Sequence, residues 1–287
     1  MPHKLTRTHI LLFVLTFITT LLAGAIQRGV IPWEEPEKIY LGLPFSLTLL
    51  LILLTHELSH YFMSRKNNVS ASLPYFIPAP PIPMIIGTFG AIIKMKPPIF
   101  DRRALIDIGA SGPIGGFIVS VFAVVIGLGS SDIIPLDEIH NQAEMISLGE
   151  SLLFIFLAKL TLNIDPDKFT IILHPIAFAG WVGFLVTSLN LLPIGQLDGG
   201  HISYALFGER HKLIAIGMIP ILIVLGIFLW HGWLFWAVLV LIIGYKHPPV
   251  VYPNILLDRK RKLTGWISLV IFLLTFTPIP IEITVPH

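Results

Sequence analysis

Leu51 to Ser64 reads LILLTHELSHYFMS, and it sets two histidines and a glutamate inside a run apolar enough to lie in lipid. A charged side chain at the centre of a bilayer costs about 2.5–3.5 kcal/mol on insertion scales. Groups placed there are therefore paired, hydrated or employed in chemistry. His56 and His60 are four residues apart, so on a helix they share one face with neighbouring Cβ atoms. That spacing lets both imidazoles reach one Zn2+ at about 2.0–2.1 Å. Glu57 follows the first histidine directly, which sets its carboxylate beside a metal rather than on it, where it can take a proton from an attacking water. With 11 histidines in 287 residues, chance yields H-E-x-x-H in about one such chain in a hundred, and more often in a loop than within an apolar helix. A pair of satisfied core histidines is the bland alternative, and the metal reading is preferred to it.

The rest of the chain shares this apolar character. It is 54% hydrophobic and 13% charged, with a mean hydropathy of +0.83. Soluble domains carry about 25% charged residues, so composition alone places the chain in a membrane. With no cysteine, disulfides and thiolate metal sites are excluded. Apolar runs long enough to cross a bilayer fall near Ile10–Ile26, Tyr40–Met63, Ala104–Leu128, Phe169–Leu192, Leu213–Trp230, Leu234–Tyr245 and Gly265–Pro278. The expected fold is an all-α polytopic membrane bundle of about six or seven transmembrane helices. Residues 1–39 are expected to hold the first helix and an outer loop, 40–206 the catalytic membrane core, and 207–287 the C-terminal helices. Lys4, Arg7 and Ala23-Gly24-Ala25 also fit a secretory signal peptide, but the apolar run is long for one and reads as an uncleaved helix.

Two apolar stretches fit poorly as spans. Leu73–Pro98 is crowded with prolines and cannot be one regular helix. Its second half, Ile85–Met95, can pair as strands, which predicts a re-entrant hairpin buried against protein. Met145–Leu162 carries Glu150 and Lys159 and reads as an interfacial helix. With the N-terminus in the cytoplasm, seven spans put fifteen of the 19 basic residues on the inner side, leaving Arg28, Lys38, Lys159 and Lys168 outside with most of the acids. No segment resembles a nucleic-acid surface, and the DRKRK run at Asp258–Lys262 reads as a topology anchor.

A catalytic zinc takes three protein ligands, so a third must come from elsewhere. The candidate lies in SLNLLPIGQLDGGH, Ser188 to His201, where Asp198 is the only acid between Asp167 and Glu209. Pro193, Gly195, Gly199 and Gly200 break the helix there and let backbone approach a ligand. The second and fourth spans both run inward, so His56, His60 and Asp198 are expected at matching depth. His201 is a competing ligand, and a helix N-cap is the alternative role for Asp198. Asp107 is expected to pair with Arg102 or Arg103, and Trp230, Trp233 and Trp236 to form an interfacial belt.

H56-E-L-S-H60 in a membrane helix, followed by N190-L-L-P-I-G-Q-L-D198-G-G200, resembles the site-2 protease family of intramembrane zinc metalloproteases, and most closely its archaeal, cyanobacterial and plastid branch. Gly87-Thr-Phe-Gly90-Ala resembles that family's hairpin segment, and Gly112-Pro-Ile-Gly-Gly116 its small-residue motif in the next span. The resemblance covers roughly Thr8–Gly244. It implies His56, His60 and Asp198 as ligands of one Zn2+ per chain, Glu57 as base, and Asn190 as an assistant that hydrogen-bonds the developing oxyanion. From its residue type alone, Asn190 serves equally well as an interhelical hydrogen bond. The linker from Arg65 to Arg103 is too short for the PDZ domain of some relatives, and no soluble regulatory domain is expected after the last span.

The expected function is hydrolysis of a peptide bond within or near a transmembrane segment of a membrane-protein substrate. The substrate, opened to an extended strand, would pair with the hairpin at Gly87, Gly90 and Ile92. The partners are that substrate and the bilayer, with an upstream protease compatible with the resemblance and no nucleic acid. The active site is expected toward the cytoplasmic side of the cell membrane. Two other classes compete. A zinc transporter would distribute histidines and acids along a path to both faces, and a catalytically silent scaffold would have no use for Glu57.

Overall fold

Prolines and paired small residues decide where this apolar chain bends and where its backbones touch. The computed structural model describes residues 5–82, 85–96, 98–135, 145–163 and 168–284. Lys4, one of the basic residues behind the topology, lies outside them. In chain order the elements are α1 Arg7–Gln27, a 3-10 turn Pro36–Gly42 running into α2 Leu43–Lys66, β1 Tyr75–Pro78, β2 Thr88–Ile92, α3 Arg102–Leu128, β3 Asp132–Pro135, β4 Met145–Leu148, α4 Leu152–Leu162 and β5 Phe169–Ile172. They continue with α5 Pro175–Asn190, α6 Asp198–Phe207, a 3-10 turn Gly208–Arg210, α7 His211–Phe228, α8 Gly232–Ile243, α9 Arg259–Thr275 and β6 Ile281–Thr284. Among the described residues four helical stretches are long and apolar enough to cross a membrane, namely Arg7–Gln27, Pro36–Lys66, Arg102–Leu128 and Asp198–Phe228. Shorter apolar helices accompany them. The chain is a helical, polytopic integral membrane protein, as its composition requires.

A hairpin is present in the proline-rich stretch, but the expected segment Ile85–Met95 supplies only its second strand, and the first is Tyr75–Pro78. β1 and β2 pair antiparallel with Tyr75 opposite Ile92, Phe76 opposite Ala91 and Pro78 opposite Thr88. The pairing is irregular between Phe76 and Pro78, where proline lacks a ladder donor. Two expected elements are corrected. Phe169–Leu192 is not one span: it opens as the strand Phe169–Ile172, and the helix begins only at Pro175 and runs 16 residues. Met145–Leu162 is likewise divided into the strand Met145–Leu148 and a helix that Ser151 caps by accepting the Phe154 N–H. The strand pairs antiparallel with Ile281–Thr284, Met145 opposite Thr284 and Leu148 opposite Ile281, a partner far along the chain that local periodicity could not reveal.

The described chain forms two compact units. The first comprises Met1–Pro97, Ile114–Asp132 and Ile171–Val186. Its backbones meet through small residues, because apolar area alone does not draw helices together in lipid. A Cβ on Gly24 would lie 2.7 Å from the Gly42 carbonyl oxygen, and one on Gly127 would strike Ala177. Aromatic rings fill the interior: Phe45 stacks on Phe178 at 5.4 Å, and Phe178 on Trp181 at 5.8 Å. α1 carries the hairpin. Thr19 donates to the Gly87 carbonyl at 2.7 Å, Gln27 donates to that of Ile85 at 2.7 Å, and His9 stacks on Tyr75 at 4.0 Å.

The second unit comprises Pro98–Pro113, Ile133–Thr170 and Thr187–His287. One core cluster gathers Leu105, Ile106, Tyr204, Ala205, Val250 and Leu257, and another Leu192, Ile194, Leu222, Trp233, Ala237 and Val240. Trp233 is thus a core residue rather than part of an interfacial belt. It is buried, donates from Nε1 to the Pro278 carbonyl at 2.7 Å and stacks on Phe276. Asp107 also departs from expectation. It takes a bidentate pair from Arg261 at 2.9 and 2.6 Å, while Arg102 donates to the carbonyls of Ala205 and Leu206 and Arg103 to that of Leu256. The reason is local: the end of α6 has carbonyls without intrahelical partners, which Arg102 satisfies, while Arg103 is taken by the Leu256 carbonyl.

Candidate metal centre

α2 runs unbroken through the H-E-x-x-H segment, so the i, i+4 relation holds and the two imidazoles converge. His56 Nε2 and His60 Nε2 are 3.1 Å apart, with ring centroids at 4.8 Å and planes at 72°. Two nitrogens bound to one tetrahedral ion at about 2.05 Å stand about 3.3 Å apart, so the pair already has the spacing of two ligands to one zinc. His56, Glu57 and His60 are 4, 6 and 5% exposed. Burial withdraws three polar side chains from bulk water, an arrangement that is costly unless charge is matched there.

The glycine pair of α3 explains how the site is walled. A Cβ on Gly116 would lie 3.2 Å from His56 Nδ1 and 3.3 Å from its Cβ. On Gly115 it would strike Ser59 Oγ, which donates to the Thr55 carbonyl at 2.7 Å. Gly115 and Gly116 therefore bring the α3 backbone against the His56 face of α2. In the hairpin, Gly87 and Gly90 adopt φ of +74° and +99°, a region open to glycine at little cost. Gly87 also has no room for a Cβ, which would fall on the Thr19 carbonyl. Ile92 is half exposed in β2, within a two-stranded sheet.

In the second unit, Asn190 is the last residue of α5, and the chain then turns tightly. Leu191 N–H donates to Thr187 O at 3.0 Å, Ile194 N–H to Leu192 O at 2.8 Å and Leu197 N–H to Ile194 O at 3.2 Å. Asp198 opens α6 as its first helical residue, half-buried. It is not the N-cap: that position belongs to Leu197, in extended backbone and without a side-chain cap. Gly199 and Gly200 follow because Cβ atoms there would strike the carbonyls of Leu191 and Gly195. His201, the competing ligand, directs Nδ1 at His247 Nε2, 2.6 Å away. His247 was not anticipated, since it stands 46 residues from His201 and no motif spacing links them.

A spanning helix that buries H-E-x-x-H, in a chain with a glycine-rich Asn-to-Asp turn elsewhere, defines an integral membrane protein with a metallopeptidase signature. The comparison with known families makes this specific: Peptidase family M50 matches residues 44–230, and the chain belongs to that family. It is similar to "Probable zinc metalloprotease EGY1, chloroplastic" of Arabidopsis thaliana, 32% identical over 243 residues, which are 83% of this chain and 43% of that protein. It is also similar to the Arabidopsis thaliana "Probable zinc metalloprotease EGY2, chloroplastic", 30% identical over 255 residues, 88% of this chain and 44% of the relative. The chain thus spans less than half the length of these curated relatives. No solved structure matches it.

Proposed function

We propose that the chain is an intramembrane zinc metalloendopeptidase that cuts a membrane-protein substrate within or near a transmembrane segment. The observation that carries this reading is the buried His56–His60 pair at ligand spacing with Glu57 between them on the same helix. His56, His60 and Asp198 offer one ligand atom each, two imidazole nitrogens and a carboxylate oxygen. That donor set suits zinc and leaves a fourth position for chemistry. When bound, zinc supplies Lewis-acid chemistry, polarising a carbonyl and making water acidic. Glu57 takes the proton of the attacking water and returns it to the leaving amine. Asn190 hydrogen-bonds the oxygen on which negative charge develops.

A substrate helix hides its peptide carbonyls in i→i−4 bonds, so it must open before it is cut. In lipid the opened groups need new partners, and β2 of the hairpin supplies them by accepting the substrate as a strand. Gly87 and Gly90 keep that backbone close, and Ile92 lies against the added strand. The bias of the basic residues supports an active site toward the cytoplasmic side of the cell membrane. The test is incubation of purified protein with single-span substrates, with and without chelator, beside Glu57→Gln. Cleavage lost to chelator and to Glu57→Gln supports the reading. Metal flux across vesicles without cleavage would replace it with transport.

A further inference from the structure

We propose that His247 is a positioning residue for the Asp198 arm of the metal site, acting through its hydrogen bond to His201; the proposal rests on Asp198 being a ligand. By itself the first turn of α6 is a poor holder of a ligand. Its N-cap, Leu197, has no side-chain acceptor for the backbone N–H groups behind it. The next two positions are glycines, kept small by the carbonyls of Leu191 and Gly195, and glycine is the most loosely held residue in a helix. A carboxylate placed on such a turn needs rigidity from outside it.

The segment from Gly244 to Val250 provides that rigidity. Tyr245 accepts the Gly195 N–H at 3.3 Å, and the Gly244 carbonyl packs against Gly195 with no room for a Cβ. His247 stacks on Tyr204 with centroids at 4.6 Å, and Val250 joins Tyr204 in the core. On the other side α3 closes in, since a Cβ on Gly109 would sit 2.9 Å from His201 Cβ and 3.4 Å from the Asp198 carbonyl oxygen. The turn is clamped between helix and strap. The strap's side-chain hold on it is the contact of 2.6 Å between His247 Nε2 and His201 Nδ1.

The direction of that bond follows from its neighbour. His247 Nδ1 lies 2.6 Å from the Pro248 carbonyl, which can only accept, so Nδ1 carries the proton. Burial, with His201 adding to it, lowers the His247 pKa to about 3, so the ring is neutral and Nε2 is bare. Nε2 therefore accepts from His201 Nδ1–H. His201 lies three residues after Asp198, on the same face of the first turn, so fixing its ring fixes the turn that presents the carboxylate.

The experiment uses the purified chain in detergent with His247→Ala, His247→Asn and His247→Gln. The glutamine amide oxygen stands where Nε2 was and can accept from His201; the asparagine amide replaces Nδ1 instead. Two readouts are taken: zinc per chain against graded chelator, and kcat and KM on a single-span substrate. Alanine and asparagine should hold zinc about tenfold less tightly, the lower end for groups that orient a ligand, with kcat reduced and KM unchanged. Glutamine should stay within about twofold of the unsubstituted protein on both readouts. Glutamine as impaired as asparagine, or all variants equal to the unsubstituted protein, overturns the proposal. If alanine fails to fold, the glutamine–asparagine contrast still decides, because the two differ in which ring nitrogen they replace. Failure of the metal reading looks different: the unsubstituted protein then lacks zinc, or keeps it after both His56 and His60 are replaced.

Discussion

Gly116→Ala isolates the contact between α3 and His56, the first of the proposed zinc ligands. The added methyl sits 3.2 Å from His56 Nδ1 and 3.3 Å from His56 Cβ, tighter than ordinary carbon contact, so the imidazole must yield by a few tenths of an ångström. For global stability two terms oppose. Overpacking costs about 1–3 kcal/mol, while alanine gains about 0.8–1 kcal/mol of helix propensity over glycine. The net loss is about 0–2 kcal/mol. A metal site is less forgiving, since ligand distances hold to within about 0.2 Å. A displaced ligand lowers zinc affinity about 10–100-fold. Gly115→Ala is the control. Its methyl strikes Ser59 Oγ, which can rotate away and forfeit one hydrogen bond to Thr55, worth about 1 kcal/mol, without touching His56. Chelator competition and thermal unfolding on both variants separate the effects. Equal zinc retention by the two would refute the claim that Gly116 sets the position of His56.

Glu57→Gln should keep zinc and lose about 10²–10⁴ in cleavage rate, whereas His56→Ala and His60→Ala should lose the metal itself; metal analysis beside a cleavage assay tells the two outcomes apart. His247, neutral when folded with a pKa of about 3 against an ordinary 6.5, gives a pH signature. The unfolded chain binds the extra proton between those values, so stability falls as pH drops below 6.5, by about 2 kcal/mol at pH 5. Denaturation at pH 7 and pH 5 should show this slope and show less of it in His247→Gln; an identical slope in both would remove His247 as a source of it. In an antiparallel pair the N–H groups of β2 alternate between β1 and its other edge, so of Ile92→Pro and Ile93→Pro one removes a donor facing the substrate. That variant should cleave more slowly with zinc still bound, and two harmless prolines would dismiss strand addition.

What was legible in the sequence was whatever depends on neighbours within a turn or two. The i, i+4 histidines, the proline-broken stretch and the strand within Ile85–Met95 are local facts, and α2 and β2 have the form that local chemistry dictates, whereas the partner strand Tyr75–Pro78 was not legible. What stayed hidden depends on partners far along the chain. Asp107 had two arginines nearby, yet those are taken by the carbonyls of Ala205, Leu206 and Leu256, leaving the carboxylate to Arg261. Trp233 carries the aromatic signature of a membrane interface and instead finds its acceptor at Pro278. The strand Met145–Leu148 reads as helix until Ile281–Thr284 is known to lie beside it. His247 belongs to the same group. An isolated His-Pro-Pro after a membrane helix reads as loop, and it is the bond to His201 that connects it with the Asp-Gly-Gly turn. The answer to why polar groups stand in an apolar chain is therefore layered. His56, Glu57 and His60 are buried together on one helix, where the proposed metal and its chemistry would employ them. In the proposed site the Asp198 carboxylate is held by two glycines packed on neighbouring carbonyls and by the His247 imidazole behind His201.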